Sequence, residues 1–296
     1  MGKINGLCPE RRSHMKQVGI VAVAVLFGLM LVSSVQADAK LVASPSSALI
    51  LADGDYDGDG LADLAVFRSD GGQWAIKDIT RVYFGKDMDV PASGDYNGDG
   101  TANIAIYRAG LWAVRDVTRQ YYGRAGDISV PADYDGDGID DVAIYRPGLG
   151  VWAVSDITRM YFGVNSYPLP ADYNGDGTSD IGIFRTYTGL WAVAGITRSY
   201  YGQEGDMPVV LDYDGDATAD RGIFRQIIVP PSALWAIQGI TRVNYGTPGD
   251  YPVPADYNVS GQGEIGIFRW NSGLWSIRDV TRTYFGAGED SIPVAK

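Results

Sequence analysis

An all-β fold, a single β-propeller of six four-stranded blades, is predicted by three observations on the sequence. An acidic nine-residue segment recurs six times, its first Asp falling at Asp55, Asp95, Asp133, Asp172, Asp212 and Asp256, with spacings of 40, 38, 39, 40 and 44. Repeats of about 40 residues have the size of propeller blades. In every repeat a Trp (Trp74, Trp112, Trp152, Trp191, Trp235, Trp275) stands six residues before the Thr of a Thr-Arg pair, so the segments keep one order throughout. Beyond the N-terminal leader no stretch of 10 or more residues carries helical periodicity. A linear β-solenoid is the alternative architecture, and seven blades with one incomplete is the alternative count.

The first 47 residues stand outside the repeats. Lys3, Arg11, Arg12 and Lys16 precede the apolar run from Val18 to Val32, and Val35-Gln36-Ala37 offers the small residues that a signal peptidase reads. Residues 1–37 are therefore expected to be a secretory signal peptide, 38–47 a short linker and 48–296 the propeller. An apolar run of about 15 residues is short for a retained membrane anchor. Met15 is an alternative start, at the usual distance before the apolar run. The expected location is secreted, extracellular or cell-surface, with the periplasm as the alternative.

Cleavage removes Cys8 and His14, the single cysteine and the single histidine of the chain. Disulfides are then excluded as staples, and rigidity has to come from packing, metal or both. The whole chain sets 24 Lys and Arg against 36 Asp and Glu; losing four bases and Glu10 with the leader leaves a net charge of −15. So acidic a protein is a poor partner for nucleic acid and for anionic membrane surfaces, and no membrane insertion is expected after cleavage.

The third repeat shows the elements in order. Asp141-Val-Ala-Ile-Tyr-Arg146 is apolar on both faces, as a strand sandwiched between neighbouring sheets must be. Val151-Trp-Ala-Val154 follows a turn at Pro147-Gly148, and Thr158-Arg-Met-Tyr161, richer in polar residues, suits an outer edge. Leu169-Pro170-Ala171 opens the next unit. The six Trp are expected to fill the gaps between blades, with sugar stacking as the alternative. Arg68, Arg108, Arg146, Arg185, Arg225 and Arg269 are expected to pair with loop or neighbouring carboxylates. The fifth repeat carries an insertion from Gln226 to Ala233, and Trp270 stands where other repeats have Ser69, Ala109, Pro147, Thr186 and Gln226; both are candidates for specificity, with a self-packed loop as the alternative. At the ends, Leu49–Ala52 and Ser291–Val294 both read as a blade's first strand. The last segment could displace the first, pair at an edge, or begin a seventh blade.

In Asp55-Tyr-Asp57-Gly-Asp59-Gly60-Leu61-Ala-Asp63, side-chain oxygens at positions 1, 3, 5 and 9 can meet on one cation if the backbone coils and the position-7 carbonyl joins them. Glycines at positions 4 and 6 permit the coil by accepting positive φ. Six or seven hard oxygens in a flexible loop select Ca²⁺ over Mg²⁺ or zinc, and about four to six such ions are expected over the whole chain. An EF-hand would need a bidentate Glu at position 12, where this loop has Val66.

With the apolar strand that follows each loop and the Phe84-Gly85, Phe162-Gly163 and Phe285-Gly286 pairs, the motif resembles the FG-GAP and VCBS-type repeats of integrin alpha subunit propellers and bacterial secreted proteins, over about residues 48–296. The resemblance implies a propeller whose calcium loops join the first and second strands of each blade, in a family used mainly for adhesion and ligand binding. Taken loop by loop, the ligand set is Asp55, Asp57, Asp59, Leu61 and Asp63; then Asp95, Asn97, Asp99, Thr101 and Asn103, a weaker set. Complete again are Asp133, Asp135, Asp137, Ile139 and Asp141. Asp172, Asn174, Asp176, Thr178 and Asp180 lose one charge and keep every oxygen. Asp212, Asp214, Asp216, Thr218 and Asp220 carry Ala217 in place of a glycine. The last set, Asp256, Asn258, Ser260 and Glu264, has Val259 at position 4 and ranks as the poorest.

The mature chain has only Glu204, Glu264 and Glu289 as glutamates, and most of its Asp belong to loops. No free carboxylate pair stands out for glycoside hydrolysis, so an enzyme is not expected and no catalytic residue is assigned. Six near-equal blades favour multivalent binding. Cell-surface or matrix carbohydrate is the first expectation, an extracellular protein the second, and a cell-envelope scaffold the third.

Overall fold

The computed structural model describes residues 54–288 and 291–294. The expected leader, the linker and Leu49–Ala52 lie outside them. The described chain forms six four-stranded antiparallel sheets, the six blades of a β-propeller. Blade 2 runs through Val90–Pro91, Ala105–Arg108, Leu111–Val114 and Thr118–Tyr121 in sheet order, and blades 3 to 6 repeat that order from Ile128–Ser129, Tyr167–Pro168, Met207–Leu211 and Tyr251–Pro252. Blade 1 takes its first strand from the other end of the chain. Ser291–Val294 pairs antiparallel with Ala65–Arg68, in the register Val66↔Pro293 and Phe67↔Ile292. The C-terminal segment thus completes a sixth ring position and not a seventh blade.

Local sequence explains why each strand takes its place. The second strand of each blade is apolar at consecutive positions because both its faces meet neighbouring sheets; Ala65, Val66 and Phe67 are all fully buried. The outermost strand alternates, and Thr118–Tyr121 is exposed along its whole length. Its arginines discourage edge-to-edge pairing. All six repeat tryptophans are buried. Each lies opposite a Phe or Tyr of the second strand, with ring centroids 4.9–5.2 Å apart. Five of them donate their indole N–H to the carbonyl ten residues later, as Trp74 does to Phe84 at 3.0 Å. These rings are core, and sugar stacking on them is excluded by burial.

The repeated arginines also find partners. Arg146 makes a two-pronged bond to Asp127 (Nε and Nη2, both 2.7 Å), and Arg225 with Asp206 and Arg269 with Asp250 do the same at 2.6–2.8 Å. Arg108 pairs with Asp89 in the same way. These four aspartates are buried and lie in the linkers between blades, 19 residues before their arginines, not in the acidic loops. Two positions differ. Arg68 faces Ser291, and Ser166 precedes the first strand of blade 4, where Arg185 ends the second.

Candidate cation loops and inter-blade clefts

Every acidic loop leads into the second strand of its blade, in blades 2 to 6 from the first strand, and closes on itself through its own side-chain oxygens. Position 1 takes two backbone N–H donors: Asp55 Oδ1 from Gly58 at 2.6 Å and Oδ2 from Gly60 at 2.8 Å. Position 5 accepts the N–H of position 7, as Asp59 does from Leu61 at 2.8 Å. Position 9 reaches back to position 2, where Asp63 Oδ2 accepts the Tyr56 N–H at 2.7 Å. The same bonds return in loops 3, 4 and 5. Loop 5 keeps them with Ala217 at φ 65°, and loop 6 carries Val259 at φ 57°. Both residues therefore occupy left-handed backbone that costs roughly 1–2 kcal/mol without glycine.

Carboxylates at positions 1, 3 and 9 converge in three loops: Asp55, Asp57 and Asp63; Asp133, Asp135 and Asp141; Asp212, Asp214 and Asp220. In each group one oxygen per residue lies within 4.8 Å of the others. Position 5 (Asp59, Asp137, Asp216) is not among these groups. The donor set is all oxygen and at least triply acidic, which fits a hard cation such as Ca²⁺. When bound, such an ion would neutralise the clustered charge and fix the coil. The intervening loops differ, because Asn stands at position 3. Asn174 turns its amide nitrogen toward Asp180 (3.3 Å) and Asn258 toward Glu264 (2.6 Å), while Asn97 turns toward Asp99 (2.8 Å).

Ionisation follows the same geometry. Burial first, and then the charges of Asp57, Asp55 and Asp59, push Asp63 up to about 6; Asp141 is pushed up to about 6 by burial and by Asp135, Asp133 and Asp137. Burial raises Asp180, Asp220 and Glu264 as well. Threonine at position 7 acts the other way. Hydrogen bonds from Thr101, Thr178 and Thr218 hold Asp99, Asp176 and Asp216 below the usual carboxylate range.

A feature not foreseen from sequence is that the loops are stitched to one another. The position-8 N–H of each loop donates to the position-1 carbonyl of the loop before: Ala102 to Asp55, Asp140 to Asp95, Ser179 to Asp133, Ala219 to Asp172 and Gly263 to Asp212, at 2.6–2.7 Å. Ala62 to Asp256 at 2.9 Å closes the circle. The available signal was the side chain at position 8, small in five repeats. In loop 3 it is Asp140, whose carboxylate adds a bond to the Asp95 N–H at 2.8 Å.

Among the described residues, clefts open between blades on the loop side. One of about 440 Å³ lies at the closure seam, between loop 1 and the Thr281–Tyr284 strand. A second of about 260 Å³ lies between loop 5 and the outermost strand of blade 4. On the perimeter, the last residue of the outermost strand is an exposed tyrosine in five blades: Tyr83, Tyr121, Tyr161, Tyr200 and Tyr284, each 65–79% exposed. Blade 5 has Asn244 there.

The insertion in blade 5 does not form a loop packed on itself. It lengthens the Asp220–Ile227 and Ser232–Ile237 hairpin and carries Ile228 and Val229 at an exposed tip. Trp270, the other irregular residue, is stacked on Tyr251 with centroids 4.5 Å apart and packs against the core of blade 6.

No protein-family model matches the chain, and no curated protein matches it either. Similar solved structures include a virginiamycin B lyase from Staphylococcus aureus (7% identity, 83% of this chain and 86% of that one, TM-score 0.49). Another is a BBS1N–ARL6DN complex soaked with mercury (11%, 81% and 84%, TM-score 0.47). A third is an Agrocybe aegerita lectin that recognises non-reducing terminal N-acetylglucosamine (15%, 77% and 76%, TM-score 0.47). Likenesses at this level carry nothing about ligand or chemistry. The chain is a six-bladed β-propeller whose acidic loops form one hydrogen-bonded ring.

Proposed function

We propose that this chain is a secreted, calcium-stabilised propeller of the FG-GAP/VCBS type that binds carbohydrate at several equivalent places and catalyses nothing. The observation that carries the reading is the set of five exposed tyrosines in register on the outermost strands. Arginine alone would discourage edge pairing there. A solvent-facing aromatic ring instead offers an apolar, electron-rich face that suits the C–H groups of a sugar. Repetition around a ring converts weak single contacts into avidity. Calcium in the acidic loops would hold the blades in the relative positions on which that spacing depends.

The test is a glycan array read in calcium and in excess EDTA, with the Tyr83→Ala, Tyr121→Ala and Tyr161→Ala triple variant alongside. Calcium-dependent glycan binding that falls at least tenfold in the triple variant supports the reading. A blank array with the folded, calcium-loaded protein removes it. A protein-binding role is favoured by a different observation, the exposed Ile228 and Val229 at the hairpin tip of blade 5. It predicts a pull-down that the Val229→Asp variant loses while glycan binding is unchanged.

A further inference from the structure

Blade 5 breaks the repeat at one more position. The residue after position 9 of the loop is Leu64, Ile104, Val142, Ile181 and Ile265 in the other blades, and Arg221 here. At three other seams that residue packs on the outermost strand of the preceding blade: Ile104 shares a cluster with Val82, Ile181 with Met160 and Ile265 with Val243. At the seam of blades 4 and 5 the apolar pair is replaced by a polar one. Arg221 Nη1 donates to Ser199 Oγ at 2.7 Å, so the side chain crosses the gap and is tethered at one end.

This tether sits in the 260 Å³ cleft, lined also by Tyr173, Ile196, Thr197 and Gln238. Gln238 is paired to Arg221 through the backbone (N to O, 2.9 Å), yet its side-chain Oε1 is buried with no hydrogen-bond partner. A buried unpaired acceptor costs about 1–3 kcal/mol, and a ligand hydroxyl would relieve it. Unlike the four linker-paired arginines, Arg221 has no carboxylate in ion-pair contact among the described residues. Asp220, which also borders the cleft, points its Oδ2 at the Tyr213 N–H inside its own loop at 2.9 Å. A guanidinium held at one nitrogen, with the rest of its fork unbonded, is shaped for a planar carboxylate. The cleft is smaller than the roughly 300–1,000 Å³ of drug-sized ligand sites, so it has room for one ring.

Resting on the carbohydrate-binding reading, we propose that the cleft between blades 4 and 5 is a site for a single uronic-acid residue, its carboxylate on Arg221 and a ring hydroxyl donating to Gln238 Oε1. The site is unique to this seam. It sits beside the one blade whose outermost strand lacks the exposed tyrosine.

Titration calorimetry of the calcium-loaded protein with a uronate disaccharide and its neutral, carboxyl-reduced counterpart tests this. The expected result is a tenfold or greater preference for the uronate, lost in Arg221→Leu, which installs a residue another blade already carries. Arg221→Lys, keeping the charge without the fork, is expected to retain only part of the preference, and Gln238→Leu to weaken both sugars equally. Equal affinity for the two sugars, or a uronate preference that survives Arg221→Leu in a protein with unchanged melting, overturns the site and leaves the general carbohydrate reading standing. No binding of either sugar together with a blank array overturns both.

Discussion

Replacing Asp127 by Ala removes the carboxylate that joins the linker before blade 3 to Arg146. The Asp127 side chain is 1% exposed and accepts three bonds, from Arg146 Nε and Nη2 at 2.7 Å and from the Arg124 N–H at 3.0 Å. Breaking a buried pair from one side costs about 3–5 kcal/mol, because the other charge is left behind. Arg146 keeps 18% of its side chain exposed and can rehydrate, which favours the lower end. The orphaned Arg124 N–H adds back about 1 kcal/mol. A loss of about 3–4 kcal/mol is expected, or a fall in Tm on the order of 10 °C for a domain of this size. Urea denaturation with a double-mutant cycle reads it: Arg146→Met alone should also destabilise, and the double variant should lose about 2 kcal/mol less than the sum of the singles. The internal control is Arg185→Met, at the blade where Ser166 replaces the aspartate; it should cost under about 1 kcal/mol. An Asp127→Ala cost below about 1 kcal/mol, or an Arg185→Met cost equal to that of Arg146→Met, would refute the account of these pairs as clamps holding each linker to the blade that follows it.

Three further outcomes follow from the loops. If calcium is about tenfold above Kd, each of the three converging sites adds roughly 1.4 kcal/mol, so excess EDTA should lower Tm by on the order of 10 °C; an unchanged melting curve with no metal found by elemental analysis removes the ion. In metal-free protein Asp63 and Asp141 titrate near 6, above their unfolded values. Protonation then favours the fold, so metal-free Tm should rise as pH falls from 7 to 5, and the gain from added calcium should shrink over the same range; a metal-free Tm that falls across that window contradicts the clustered-charge picture. Val259→Gly relieves φ 57° at an exposed position and should raise the unfolding free energy by about 0.5–1 kcal/mol, read as a higher urea midpoint with an unchanged m-value; a lower midpoint would mean that the added freedom of glycine in the unfolded chain outweighs the strain.

Blade number, strand order and the buried place of the tryptophans were legible because they depend on period and local pattern, which a single chain displays. The aspartate partners of the arginines were less so. Asp127 and Arg146 are 19 residues apart and meet only once the linker has folded back along the second strand. Ring closure was open for a related reason: Leu49–Ala52 and Ser291–Val294 carry the same strand pattern, and pattern does not say which one pairs with Ala65–Arg68. Arg221 carries no sequence signal of its own, because a single charge in an apolar column reads as tolerance, and only the fold brings its guanidinium to Ser199.

The loop ring changes what a cation would do here. Read along the sequence, each loop is a staple for one turn of one blade. In space, the position-1 aspartate has two separate duties: its carboxylate belongs to its own loop's oxygen cluster, while its backbone carbonyl accepts the N–H of the next loop. Fixing the coil around Asp55 therefore also fixes the acceptor for Ala102, and fixing loop 6 holds the acceptor for Ala62 across the closure seam. Blade 1 takes its first strand from the four-residue segment Ser291–Val294, so this bond adds to the Arg68 Nη2–Ala287 carbonyl bond (3.1 Å) and to the apolar cluster that joins Leu64 and Val66 to Val253 and Phe268. A cation at loops 1, 3 and 5 would touch all six seams, because each of these loops is bonded to both neighbours. Three occupied sites would then be enough to stiffen a six-membered ring, and the asparagines of the intervening loops would cost the ring little.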